Sequence, residues 1–172
     1  MNKIALISPL PQGHRAKFWE DYFNRLKAND AIRPDTQISV RTISKHTSKG
    51  RISANTLYFE LLQRQYTVEA VLDAQKEGFD AVIDSCYFDP ALDEAREVAD
   101  IPVVGLAEAS FSYSLLLGRK KGSTAVIAVA EKGISKTWDV LDKYGLTSHL
   151  IANRPVRQVP DETYFGAVAS GD

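Results

Sequence analysis

One cysteine occurs in the 172 residues, Cys86, within the segment Asp84-Ser85-Cys86-Tyr87-Phe88-Asp89-Pro90. A cysteine acts as nucleophile or base only as the thiolate, so its surroundings decide what it can do. The segment follows Ala81-Val82-Ile83, which reads as a buried strand, and precedes a helix expected to open near Asp89-Pro90. Proline suits the first helical position because its missing N–H is unpaired there anyway. At such a junction the helix dipole and unpaired backbone N–H groups would favour a thiolate. They could also hold a substrate carboxylate or a developing enolate. The competing reading is a small buried apolar side chain, which is how free cysteine usually behaves. Type and position alone leave the two readings balanced.

Ligands of parallel α/β sheets bind beyond the carboxyl ends of the strands. The apolar runs place five segments there: Ser8-Pro9-Leu10, residues 44–53, residues 84–87, residues 106–110 and residues 130–133. Arg41, Lys45, His46, Lys49 and Arg51 lie on or near the second segment and could attract an anion, although a solvated loop explains them as well. His14 could assist proton transfer or stand at the surface. Glu108 either meets ligand or caps a helix near Ser110. Asp84 and Asp89 flank the thiol; as carboxylates they would raise its pKa, and Asp89 reads as a helix N-cap. His46 and His149 share no metal-ligand spacing with Cys86 or a carboxylate pair, so no metal is expected. Phosphate-binding glycine loops are absent, which counts against nucleotide chemistry.

The elements that must position these residues alternate. Ile4-Ala5-Leu6-Ile7, residues 38–43, 81–83, a run opening at Ile101-Pro102-Val103-Val104, and residues 124–129 read as strands, with Leu150-Ile151 as a short sixth. Helical spacing joins Trp19, Tyr22, Phe23 and Leu26, and places Leu57, Leu61, Val68, Val71 and Leu72 on one side of a long helix stopped by Gly78. Ala91, Leu92, Ala95, Val98 and Ala99 form the next buried stripe. A helix spans residues 110–117, and Ile134, Trp138 and Leu141 mark the last. Strand–helix alternation with few hairpin signals predicts an α/β fold with parallel sheets. A first lobe is expected over residues 1–118 and the opening of a second over 119–172, that second lobe reading as incomplete.

The formal net charge of -1, from 21 basic and 22 acidic side chains, gives no basic face for nucleic acid or anionic membrane. No apolar run approaches the ~20 residues that span a bilayer, and residues 4–7 are too short for a secretory core. One cysteine excludes an intramolecular disulfide and suits a reducing cytosol. The expected location is cytoplasmic.

The stretch from Asp84 through Asp93-Glu94-Ala95-Arg96 resembles the cysteine loop and helix of hydantoin racemases, within the aspartate/glutamate/hydantoin racemase group. The likeness continues through Ile101-Pro102-Val103-Val104-Gly105-Leu106-Ala107-Glu108-Ala109 and Leu116-Leu117-Gly118-Arg119 to Val140-Leu141-Asp142-Lys143-Tyr144-Gly145-Leu146. It covers about residues 78–146 well and the earlier chain poorly. The resemblance implies two similar α/β lobes with the active site between them and one cysteine from each. One thiolate takes the α-proton of an amino acid or hydantoin, and the other thiol returns a proton on the opposite face, without a cofactor. It implies Cys86 as a catalytic residue and Ser8, Pro9, Ser85, Tyr87 and Glu108 as substrate contacts, with a homo-oligomeric assembly and a small-molecule substrate. This sequence departs from the pattern in lacking a second cysteine, in reading Ser8-Pro9-Leu10-Pro11 where Asn-Pro-Asn-Thr is usual, and in carrying Ala130-Glu131 where hydroxyl residues are common. Those departures leave room for decarboxylation or cis–trans isomerisation of a small carboxylic acid on the same fold. A small-molecule binding protein without activity is the third reading.

Overall fold

The computed structural model describes residues 2–8, 16–42, 57–118, 121–129 and 132–159. The chain divides into two compact units, Met1–Leu106 and Ala107–Asp172. In the first, strands β1 (Asn2–Ser8), β2 (Thr36–Thr42), β3 (Ala81–Asp84) and β4 (Val103–Gly105) form one sheet in the order β2-β1-β3-β4. All three pairings are parallel, with Ile7 opposite Arg41 and Asp84, and Asp84 opposite Gly105. Parallel strands need long crossovers, which α1 (Ala16–Ala28), α2 (Leu57–Lys76) and α3 (Leu92–Val98) provide.

Alternate residues of a strand point to opposite faces, and this sorts the unit into two sides. Ala5, Ile7, Val82 and Val103 pack with Val71 and Ala74 of α2 and Leu92 and Ala95 of α3, forming the core. Fully burying a Leu or Val side chain stabilises by about 1.5–3 kcal/mol. On the opposite face, Leu6, Ile38, Ile83 and Ser85 join Trp19 and Phe23 of α1 around a groove of ≈ 680 Å³. Trp19 stacks on Phe23 at 5.7 Å between ring centroids.

Helix α2 is rotated from the expected orientation. Leu57 and Leu61 are 81% and 64% exposed, while Phe59, Gln63, Thr67, Val71 and Ala74 are buried. Apolar residues occur all around this helix, so periodicity does not select a face. Its stop does follow the sequence: Gly78 has φ +77, its N–H bonds Gln75 O, and Phe79 N–H bonds Ala74 O, closing a left-handed C-cap. Arg41, at the end of β2, has protein partners. Its guanidinium pairs with Glu77, Nη1 to Oε1 at 2.8 Å, and lies 4.9 Å from the centre of the Phe79 ring.

Helix α3 starts later than Asp89-Pro90 suggests, at Leu92. Its N-cap is Ala91, in a left-handed conformation (φ 63) and with no side-chain capping bond, so Asp89 is not the N-cap. Of the expected stripe, Ala91, Leu92 and Ala95 are buried but Val98 is 48% exposed.

Helix α4 (Leu106–Leu117), which belongs to the second unit from Ala107 onward, begins four residues before the expected helix and follows β4 without a loop. Strand β5 (Val126–Val129) pairs in parallel with β6 (Val156–Val159), with α5 (Lys132–Lys143) between them in sequence. The strand expected at Leu150-Ile151 is replaced by β6, and Leu150 makes only an isolated bridge to Thr124. On α5 Trp138 is 39% exposed, whereas Thr137 is buried with its hydroxyl donating to Gly133 O at 2.8 Å. No helix among the described residues is long and apolar enough to cross a membrane.

Candidate functional site

The pleat that builds the core also assembles the site. Val82 and Asp84 point toward α2, and Cys86, two residues on, keeps that side just beyond the carboxyl end of β3. Helix α2 brings Gln63 against it, and the Gln63 Nε2 donates to the Cys86 Sγ at 3.3 Å. Asp84 is 1% exposed; its Oδ1 accepts the Cys86 backbone N–H at 3.1 Å, while its Oδ2 is buried with no hydrogen-bond partner among the described residues. Asp89 is also buried and turns back through a left-handed backbone (φ 44), its N–H donating to Cys86 O at 3.1 Å. Gly105 lies against that carboxyl group: a Cβ there would meet the Asp89 carboxyl carbon and Oδ2 at 2.5 Å. A side chain at position 105 would therefore force the Asp89 carboxyl aside.

These surroundings keep protons on. Burial pushes the Cys86 thiol up to about 12, reinforced by Asp84 and, to a smaller extent, Asp89; the Phe88 backbone and Gln63 amide act in the opposite direction. Burial likewise pushes Asp84 up to about 7, opposed by the Cys86 N–H and assisted by Asp89. The sequence placed the thiol at a helix entrance that would favour a thiolate. Instead, α3 opens six residues after Cys86 and the sulfur rests as a thiol. A neutral thiol beside a carboxyl group with a near-neutral pKa can give a proton to carbon and recover one locally.

Other expected contacts are placed separately. Ser85 belongs to the groove face, its backbone N–H and hydroxyl both donating to Ile7 O at 3.0 and 2.8 Å. Ser8 ends β1, is buried, and shares the Leu6 face by alternation. Tyr87 follows the cysteine directly; burial and then Asp89 push its phenol up to about 12, and its ring lies edge-on to Phe88 at 5.9 Å. Glu108 stands half-buried in the first turn of α4, within the second unit and inside the helix rather than ahead of it. Pro9, Leu10, His14, Lys45, His46, Lys49, Arg51 and Glu131 lie outside the described residues. Gln63 is a site residue that the sequence expectations do not include. A polar residue at helical spacing from Phe59, Thr67 and Val71 was the available signal. Among the described residues, no three His, Cys, Asp or Glu side chains gather to hold a metal.

The family model for the Asp/Glu/hydantoin racemases matches residues 27–170. This chain belongs to the Asp/Glu/hydantoin racemase family. It is 32% identical over 124 residues to a hydantoin racemase of Pseudomonas sp. (strain NS671), covering 72% of this chain and 47% of that protein. A Rhizobium meliloti hydantoin racemase is 29% identical over 79 residues, 46% of this chain and 32% of the relative. The chain thus spans less than half the length of these curated relatives. Among solved structures, allantoin racemase from Klebsiella pneumoniae aligns with a TM-score of 0.70 at 19% identity, covering 99% of this chain and 65% of that one. An aspartate racemase homologue from Pyrococcus horikoshii aligns with a TM-score of 0.62 at 10% identity, covering 100% and 74%. At these identities the structural likeness shows the α/β fold of this family.

Proposed function

We propose that this chain carries the Cys86 half of a cofactor-independent racemase or epimerase that inverts the α-carbon of an amino acid or a hydantoin-like derivative. The observation that carries the reading is the lone thiol at the carboxyl end of β3, held by Gln63 and flanked by buried Asp84. Family membership supports the reaction class, and the hydantoin racemases among the relatives support the substrate class. Inversion needs one group to remove the α-proton and another to deliver a proton to the opposite face. A neutral thiol is the delivering group; after delivery it is a thiolate, the state that removes a proton in the reverse direction. An α-proton is only weakly acidic, so fixed donors must stabilise the enolate-like charge, an effect worth about 3–4 kcal/mol per donor. The substrate is a small molecule, the expected assembly a homo-oligomer and the expected setting the cytosol.

A second reading keeps the site and changes the reaction. Decarboxylation of a malonate-type acid needs one proton donor rather than two bases, and Cys86 resting as a thiol fits it. A panel of single-enantiomer hydantoins and amino acids, alongside malonate-type acids, separates the two in deuterated water. The racemase reading expects loss of optical rotation with one deuterium entering the α-carbon. Carbon dioxide release without inversion would replace it by the decarboxylase reading.

A further inference from the structure

Gln63 is 7% exposed on the inner face of α2, among residues otherwise devoted to packing. A buried amide costs free energy unless it is hydrogen-bonded, and an apolar side chain of similar length would pack there without that cost. Its bond is made to sulfur, with Nε2 3.3 Å from Cys86 Sγ. Neutral sulfur is a weak acceptor, whereas a hydrogen bond to an ionised group is roughly twice as strong as a neutral one. The placement therefore gains most when the sulfur carries charge.

Among the described residues, the charged groups acting on that sulfur are Asp84 from β3 and Asp89 from the loop after it, and both oppose the thiolate. Among the described residues, α2 supplies the uncharged side-chain donor to that sulfur, Gln63. Asp84 is itself tied to the cysteine backbone through Oδ1. Direction and charge at the sulfur are thus set from two elements, with opposite effects.

We propose that Gln63 is a positioning residue for proton transfer at Cys86, its amide fixing the direction of the sulfur and serving it in both protonation states. Through Nε2 it donates to the thiolate; turned over, it accepts the S–H proton through Oε1. Leucine could do neither, glutamate would repel the anion, and lysine would hold the sulfur permanently charged. An ambivalent amide suits a group that gives and takes the same proton. This inference rests on the proton-transfer reading above.

Cys86 is the only cysteine, so thiol alkylation reads one site. Iodoacetamide rates on the full chain between pH 8 and 11 would be compared for wild type, Gln63→Met and Gln63→Glu. Thermal melts by circular dichroism would verify folding. The rising limb of the rate profile should fall about threefold to tenfold in Gln63→Met, and further in Gln63→Glu, where a carboxylate faces the sulfur. A profile unmoved in folded Gln63→Met, or a faster rate in both variants, would overturn the proposal. Should either variant fail to fold, the other carries the same comparison. Alkylation does not depend on turnover. A shifted profile together with α-carbon exchange that survives loss of Cys86 would therefore defeat the functional reading and leave the Gln63–sulfur coupling intact.

Discussion

Iodoacetamide should label Cys86 in the folded chain at pH 7.5 about a hundredfold or more slowly than in the chain unfolded in urea. Raising the thiol from 9.0 to about 12 lowers the thiolate population about a thousandfold. A more basic thiolate is intrinsically more nucleophilic, which restores roughly one power of ten or slightly more. Burial of the side chain then restricts approach. The rate should keep climbing as pH rises toward 12. Because the folded state favours the thiol, its contribution to stability is complete below pH 9 and is lost as pH rises through about 12. A rate that levels near pH 9, or that matches the unfolded chain, would show a sulfur exposed to solvent and would contradict the site described.

The second large effect concerns Asp84. Its folded carboxyl titrates near 7 against an ordinary 3.8, so the folded chain holds a proton that the unfolded chain has released across that window. Stability attributable to this group is complete below pH 3.8 and falls as pH rises through about 7. Asp84→Asn keeps an oxygen for the Cys86 N–H and cannot ionise. It should match wild type near pH 4 and exceed it at pH 8 by on the order of 2–4 kcal/mol, at about 1.4 kcal/mol per pH unit. Urea unfolding of both proteins at both pH values measures the difference, in which other titrating groups cancel. Equal stabilities at pH 8, or a less stable variant there, would show that burial does not raise the Asp84 carboxyl. A residue that lowers stability at the working pH is the kind retained at functional sites.

How much of this was legible depended on how local the signal was. Continuous apolar runs marked β1, β3 and β5, and strand–helix alternation correctly predicted parallel sheets. The cysteine loop, read with Ile101-Pro102-Val103-Val104-Gly105, was specific enough to reveal the family. Orientation was harder to read. Helix α2 is apolar nearly all round, so only tertiary packing turns Gln63 inward and Leu61 outward. The separation of Ser85 from Cys86 follows from strand alternation, yet both residues lie past the end of β3, where the sequence does not show that the alternation continues. Asp89-Pro90 carried a good capping signal, but positive φ at Asp89 and Ala91 delays α3 to Leu92. Strand β6, reading Val156-Arg157-Gln158-Val159, is too short and polar for any period to emerge.

The most direct test of a proton-transferring Cys86 is solvent deuterium entry at the α-carbon of a hydantoin or amino acid. It should be followed with the native gene product and with its Cys86→Ser variant, each verified as folded. Serine preserves the shape and removes the acidic thiol, so exchange should fall by at least about a hundredfold, the smallest effect expected of a positioned acid–base group. Undiminished exchange in the serine variant would contradict the account.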